Sequence, residues 1–500
     1  MYKITNFLPR RYQENIFISA KEKNSLICLP TGTGKTKLAI MMTVYRLNKN
    51  PESNIVIISP TKPLSSQIAN EIRHSTDIPT EKISLLTGAI NSEERSVVFK
   101  TSKVIVATPQ TIQFDLQNDR ISFENTSLLV VDECHRSKEK FANTIVAENY
   151  MKNAKDKLIL ALTASPGATK EKISEVCSNL FIENIELRTE EDVDIAEHIQ
   201  KKESIDIRLP LPKDFQLIQN ILKSYYITKA SGLKRYGITK PKSLINKTDL
   251  LLYQKNFQTR IRKGDFSAYR AISEIAEMIK ISHAQGLIET QTPKSLMDYF
   301  QKLKSEKSKA AKNILKNKSI ENAISLTKGI IDKNQLHPKL EELKKIISKE
   351  LKDNPNTKTI IFANYRSTVE EIKKELSKIQ GAIPVKLIGQ SGGLSQKNQL
   401  VAIDKFNRNA FNIIVCTSIG EEGISIGSLD LAVFYDHTAS EIRKIQRSGR
   451  VARIKPGKII NLIAEKTLDE AMLWTAKRKE TKMHNLLGYM KKNLEDEDNC

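Results

Sequence analysis

Short, almost uninterrupted apolar runs recur along the first two hundred residues: SLICL (25–29), NIVIIS (54–59), KVIVA (103–107), SLLVV (127–131) and KLILAL (157–162). Runs this short, without polar alternation, suit strands covered on both faces, as in a parallel sheet flanked by helices. Between them the apolar positions switch to helical spacing, as over Ser65–His74, so the segment reads as repeated strand–helix–strand units. The same style returns in the last third, with KTIIFA (358–363), PVKLI (384–388), NIIVC (412–416), LAVFY (431–435) and GKIINLI (457–463). The stretch between them keeps a helical period, in Ile272, Ile275 and Ile279 and again in Leu296, Tyr299 and Leu303. The pattern predicts an α/β chain with two parallel-sheet units, 1–204 and 336–490, separated by an all-α insert, 205–335. The acidic end, 491–500, reads as a disordered tail.

Composition bears on this picture at four points. A chain of 500 residues exceeds what a single core of about 250–300 residues accommodates, in keeping with several units. Hydrophobic residues make up 39% and no apolar run approaches the ~20 residues of a membrane span. Met1–Arg11 lacks the apolar centre of a signal peptide, so a cytoplasmic protein is expected. Cys28, Cys134, Cys177, Cys416 and Cys500 form no C-x-x-C pair, which favours reduced thiols over disulfides or zinc.

Charge is the most informative of these features. A net charge of +22 favours a polyanionic partner, because each phosphate neutralised by a side-chain cation releases counterions. From Lys201 to Gln335 there are 27 Lys and Arg against 12 Asp and Glu, a surplus of 15. Lysines crowd KLKSEKSKAAKNILKNK (302–318), which nominates Lys304, Lys307, Lys309 and Lys312 as nucleic-acid contacts. Six of the 13 tyrosines also fall in the insert, where they could stack on bases or pack a core.

Three motifs carry chemistry. LPTGTGKT (29–36) lies between a strand and a helical run, where small residues let backbone N–H groups converge on phosphate oxygens. Pro30, Thr31, Gly32, Thr33, Gly34, Lys35 and Thr36 are therefore candidates for holding ATP. Lys35 would reach the β- and γ-phosphates, Thr36 would ligate Mg²⁺, and Leu29 stands where the first glycine of the usual pattern would be. VVDECH (130–135) ends an apolar strand, and its adjacent carboxylates suit Asp132 holding Mg²⁺ through water and Glu133 polarising an attacking water. QRSGRVAR (446–453) spaces Arg447, Arg450 and Arg453 by three, along one side of a helix. The second unit has no phosphate loop of its own, so its natural contribution is arginines, Arg450 and Arg453, which with Gln446 would face the γ-phosphate.

In order and wording these motifs resemble the superfamily 2 helicases, and most closely the archaeal Hef and FANCM branch. RRYQ (10–13), SPTKPL (59–64), LTG (86–88), ATPQT (107–111), LTASPG (162–167), IIFANYRS (360–367), GQ with GLSQ (389–390, 393–396) and CTSIGEEGISI (416–426) complete the series. The resemblance implies two RecA-like domains with a thumb-like helical insert, using ATP and Mg²⁺. It implies adenine recognition by Arg10 and Gln13, and coupling of hydrolysis to movement through His135, Thr163 and Ser165. Backbone contacts would come from Thr61, Lys62, Thr108, Gln110, Gln390 and Thr417, which can bond phosphate oxygens without reading sequence. Ser425 stands where that family has an aspartate, and Val451–Ala452 where it has Thr-Gly. Some relatives add an XPF-type nuclease, for which a chain ending at Cys500 leaves no room. The expectation is a nucleoid-associated, ATP-dependent DNA helicase or translocase on forked, branched or duplex DNA, working beside repair or replication proteins. An RNA-directed helicase of the kind found in Dicer and the RNA sensors is the alternative, and an ATP-gated clamp a third reading.

Overall fold

The computed structural model describes residues 1–198, 202–241, 245–389, 396–417, 426–427, 429–449 and 457–498. Seven strands form the first sheet: β1 (Ser25–Cys28), β2 (Asn54–Ile58), β3 (Ile83–Leu86), β4 (Val104–Ala107), β5 (Thr126–Asp132), β6 (Ile159–Thr163) and β7 (Asn184–Leu187). They are parallel and lie in the order β3-β4-β2-β5-β6-β1-β7. The second sheet contains β8 (Lys202–Leu209), β9 (Thr359–Phe362), β10 (Pro384–Leu387), β11 (Ile413–Cys416), β12 (Leu431–Phe434) and β13 (Gly457–Ala464). Its order is β10-β11-β9-β12-β13-β8, again parallel. Central strands β1, β4, β6, β9, β11 and β12 are buried at every position, as their unbroken apolar runs require.

Three strands carry no such run. β3 and β7 close the two edges of the first sheet, and β8 is an edge of the second. In KESIDIRL (202–209) exposure largely alternates along the strand, since one face packs while the other meets solvent. β8 pairs along its whole length with β13, so the segment between the first unit and the insert belongs to the second sheet, not to either neighbour in sequence.

The insert is helical, with helices Lys213–Gly232, Lys247–Arg262, Ala268–Thr290, Pro293–Ser305, Lys309–Leu315 and Lys318–Asp332. Ile275, Leu296 and Leu303 sit in its two apolar cores, as their spacing predicts. Most insert tyrosines are packing residues: Tyr225 donates to Glu277, Tyr226 to the Ile245 carbonyl and Tyr299 to the Lys280 carbonyl. The last helix runs from Leu468 through Asp498, so residues 491–498, expected from their acidic composition to be a disordered tail, are helical. Tertiary contacts support its length: Met483 and Leu487 enter the first-unit core, and Lys491 pairs with Glu186 at 3.0 Å.

One buried polar cluster ties the insert to the second unit. Lys339, fully buried, donates to Asp469 Oδ2 at 2.8 Å, Asp436 Oδ1 at 3.3 Å and the Tyr435 carbonyl at 2.7 Å. Asp436 also accepts from Gln291 Nε2 at 2.7 Å and from the Asn364 backbone at 2.6 Å. Removing the ammonium would leave two carboxylates facing one another out of water. Lys339→Met is expected to destabilise the chain by about 3–5 kcal/mol in urea unfolding. The exposed Lys345→Ala should change stability by no more than about 0.5 kcal/mol.

Candidate nucleotide and nucleic-acid site

The candidate side chains of the nucleotide pocket sit at the carboxyl ends of the first unit's parallel strands, where an open α/β sheet leaves its crevice. The phosphate loop follows β1, Asp132 ends β5 and Thr163 ends β6, and these three strands are neighbours in the sheet. Leu29 N–H donates to the Thr163 carbonyl at 3.1 Å, fixing the loop against β6. Gly32 and Gly34 hold φ of +86° and +84°, and a Cβ at Gly34 would lie 2.6 Å from Gln13 Nε2, so only glycine fits there. Lys35 opens the helix Lys35–Lys49, with its amine folded over the loop and donating to the Leu29 and Pro30 carbonyls at 3.0 and 3.2 Å. Thr33 Oγ1 donates to the Pro30 carbonyl at 2.7 Å.

Gln13 and Arg10 stand beside this loop at the start of helix Arg11–Ala20. Gln13 Oε1 accepts from the Arg10 backbone at 3.0 Å, and Nε2 reaches the Thr33 and Gly34 carbonyls at 3.4 Å. Tyr12, to which the motifs assign no role, donates its hydroxyl to the Thr33 carbonyl. It belongs to RRYQ, so its place inside that motif was the only signal in the sequence.

The DECH segment is held from both sides. Ser59 Oγ donates to Asp132 Oδ2 at 3.0 Å. Burial and the neighbouring Glu133 carboxylate push the Asp132 carboxyl above its ordinary range, with Lys35 opposing. Glu133 adopts φ +50°, in the left-handed region that suits a functional turn. Burial raises its carboxyl, but the His135 hydrogen bond and the charges of His135, Lys35 and Arg136 outweigh this and hold it below the usual value. His135 Nδ1 lies 3.2 Å from Glu133 Oε2 and 3.4 Å from Thr163 Oγ1, which in turn accepts from the Ser165 backbone at 3.1 Å. The DECH and TAS motifs are thus one bonded unit. An anion-destabilising pocket at Asp132, a glycine cradle and an adjacent lysine form a donor set that fits a nucleotide and its magnesium ion.

The nucleic-acid candidates occupy the same edge one step along. Thr61 caps helix Lys62–Ser75 after β2 and Thr108 precedes helix Pro109–Gln117 after β4, and β2 and β4 are paired. Ser65, another residue to which the motifs assign no role, joins the two loops by donating to the Thr61 and Ala107 carbonyls at 3.1 and 3.3 Å. Lys62 and Gln110 are exposed beside them. In the second unit Thr417 follows β11 and is buried, while Gln390 lies outside the described residues. Lys304, Lys307, Lys309 and Lys312 belong to the helices Pro293–Ser305 and Lys309–Leu315 of the insert and the turn between them, and carry no ion pair among the described residues.

The second unit reaches the phosphate loop through helix Glu441–Ser448. Gly449, directly after it, packs so closely on Thr31 that a Cβ there would lie 1.6 Å from Thr31 Oγ1. The helix is described as far as Ser448, so the expected placement of Arg447, Arg450 and Arg453 along one helical side falls partly outside the described residues. Arg450 and Arg453 lie outside the described residues, as do Ser425, Val451 and Ala452. Arg447 is buried, donating to the Asp436 carbonyl at 2.7 Å and to Asn364 Oδ1 at 3.0 Å, with its guanidinium 5.1 Å from the Phe362 ring centre. It anchors the helix instead of facing the cleft. Gln446 is buried on the same helix, and Ile445 packs on the first-unit core.

Comparison with known proteins places this geometry. The family described as DEAD/DEAH box helicase matches residues 10–173, and the helicase conserved C-terminal domain matches 338–455. A third family, "Putative ATP-dependent RNA helicase, helical bundle", matches 214–332. The crystal structure of the Pyrococcus furiosus Hef helicase domain is 40% identical with a TM-score of 0.74, covering 94% of this chain and 98% of that one. The chain belongs to the Hef branch of the superfamily 2 helicases. A Methanocaldococcus jannaschii protein, whose name also calls it an ATP-dependent RNA helicase, is 36% identical over 96% of this chain. The Neurospora crassa ATP-dependent DNA helicase mph1 and the Schizosaccharomyces pombe ATP-dependent DNA helicase fml1 are 32% and 30% identical, each over 91% of this chain. The chain spans 61% of the first of these relatives and 41% and 57% of the fungal ones.

The contact of Gly449 with Thr31 is one of the places where the two RecA-like units of this chain meet. Gly449→Ala is expected to lower kcat for ATP on the order of 100-fold, because the added methyl holds the helix end away from the phosphate loop. Undiminished turnover would show that the units do not close on this contact.

Proposed function

We propose that this chain is an ATP-dependent DNA helicase or translocase that unwinds or remodels forked and branched DNA in repair and fork restart. The observation that carries this reading is the approach of Gly449 to Thr31, which brings the end of the last-motif helix onto the phosphate loop. Lys35 and the loop amides bind the triphosphate, Glu133 orients and deprotonates the attacking water, and His135 holds Glu133 in place. Thr36 and Asp132 would hold Mg²⁺, which when bound neutralises charge between the β- and γ-phosphates. Arg450, next in the chain after Gly449, and Arg453 would reach the γ-phosphate, with Gln446 behind them. Arg10 and Gln13 would select adenine.

Coupling would run through Thr163 and Ser165. Ser165 Oγ lies 3.0 Å from Met483 Sδ on the last helix, and Glu480 of that helix pairs with Lys444 on the helix ending at Ser448. A change at the TAS motif therefore has a packed route to the second unit. Thr61, Lys62, Thr108 and Gln110 in one unit, with Gln390 and Thr417 in the other, would hold one strand's backbone while the cleft opens and closes. The insert lysines would grip duplex ahead of the junction. DNA is preferred over RNA because mph1 and fml1 are DNA helicases by name and Hef supplies the matching fold, whereas the Methanocaldococcus relative's name points to RNA.

Lys35→Ala is expected to abolish nucleic-acid-stimulated ATP hydrolysis while leaving the fold intact; retained turnover would refute the site. Wild-type turnover should rise more with forked DNA than with a matched RNA duplex, and the reverse order would select the RNA reading. Reversing Lys304, Lys307, Lys309 and Lys312 to Glu is expected to weaken fork binding and flatten its salt dependence by about 0.9 for each phosphate these lysines neutralise. An unchanged slope would remove the insert lysines from the binding surface.

A further inference from the structure

Five of the six insert tyrosines are at least half buried; the sixth is not. Tyr269 is 58% exposed, and its neighbour Phe266 is 72% exposed, an unusual state for two aromatic rings. They sit at the turn between helices Lys247–Arg262 and Ala268–Thr290, with ring planes parallel to within 5° and centroids 6.3 Å apart. Leu251 and Leu252, near the start of the first of these helices, are also about half exposed.

The turn is built to hold these rings out. Asp265 Oδ2 accepts from Arg260 Nε and Nη2 at 2.9 and 2.6 Å, and Oδ1 accepts from the Ser267 backbone at 3.1 Å and its hydroxyl at 2.5 Å. Gly264 takes φ +92°, which reverses the chain. Arg260 is further held over the Phe257 ring at 5.0 Å, and Phe257 is buried in the core beneath. Two rings presented by a fixed turn lose little freedom when they take up a partner.

Charge identifies the partner. Residues 251–270 contain Lys255, Arg260, Arg262, Lys263 and Arg270 against Asp265 alone, five cations to one carboxylate. Asp265 is already paired with Arg260, while Lys255, Arg262, Lys263 and Arg270 are exposed without an ion pair among the described residues. An apolar protein partner would have to bring its own acidic ring. A single nucleic-acid strand supplies both complements at once, since phosphates meet the cations and every base has a π-face to lay on an aromatic ring.

We propose that Phe266 and Tyr269 form a stacking platform for unpaired bases, flanked by Arg262 and Lys263 as phosphate contacts, at the outer turn of the insert. The site rests on the nucleic-acid reading above but is separate from the sheet-edge loops and from Lys304–Lys312. It would catch a single-stranded arm of a fork away from the ATP cleft.

The test compares the full chain with Phe266→Ala/Tyr269→Ala, using a fork with two oligo-thymidine arms and a blunt duplex of the same length. Fluorescence anisotropy without ATP should show the double variant weakened on the fork by about tenfold or more, with blunt-duplex affinity and DNA-free ATP hydrolysis unchanged. Phe266→Trp, unlike Phe266→Ala, should bind the fork as the wild type does, because it keeps a π-face. Arg262→Ala/Lys263→Ala should lower the salt slope on the fork by about 0.7 for each phosphate the pair neutralises. Unchanged fork affinity in the aromatic variant overturns the proposal and leaves the patch to a protein surface. An equal drop in affinity for both probes also overturns it, since stacking requires unpaired bases. If the wild-type chain binds neither probe, the parent reading falls and this site with it; if only the platform fails, the wild type still binds the fork.

Discussion

The structure depends on one steric constraint: the backbone at Gly449 lies against Thr31 with no room for a Cβ between them. A parallel sheet delivers its loops to one edge, so each unit alone offers half of a pocket. Only when the edge of one faces the helix end of the other can a triphosphate be enclosed. Glycine permits that approach, and the buried Arg447 beneath it keeps the helix end in place by bonding Asp436 and Asn364.

From that contact outward, polar bonds replace what apolar packing cannot specify. His135 joins the DECH carboxylate to Thr163, and the last helix carries the Ser165 neighbourhood to Lys444 of the second unit. Asp436 gathers Gln291 from the insert, Lys339 and the Asn364 backbone, while its carbonyl receives Arg447. The insert, the second sheet and the helix ending at Ser448 therefore share one buried residue. Displacing any of them leaves a buried charge or donor unmatched, which makes intermediate positions costly and favours discrete arrangements of the units.

The loops proposed to hold the nucleotide and those proposed to hold nucleic acid are separated by strand order alone. β1, β6 and β5 carry the phosphate loop, the TAS motif and the DECH motif, while β2 and β4, beside them, carry Thr61 and Thr108. Ser59 links the two sets, bonding Asp132 from the loop leading to Thr61. The insert would add reach at a distance, through its exposed cations and the proposed platform at Phe266 and Tyr269.

The sequence by itself determined the two α/β units, the helical insert and the residues of the phosphate loop and DECH box. Buried parallel strands need unbroken apolar runs, and phosphate chemistry needs glycine, lysine and paired carboxylates at fixed spacing. Edge strands β3, β7 and β8 escaped because half-exposed strands tolerate Ser, Glu and Lys. The assignment of β8 to the second sheet, the helix through Asp498 and the structural role of Arg447 were decided only by tertiary contacts. Tyr12, Ser59, Ser65, Asp436 and Gly449 carry no role assigned by the motifs and acquire meaning from partners between 4 and more than 400 positions away. Local pattern encodes what a residue's own element must bury; which distant group it meets depends on how the elements pack.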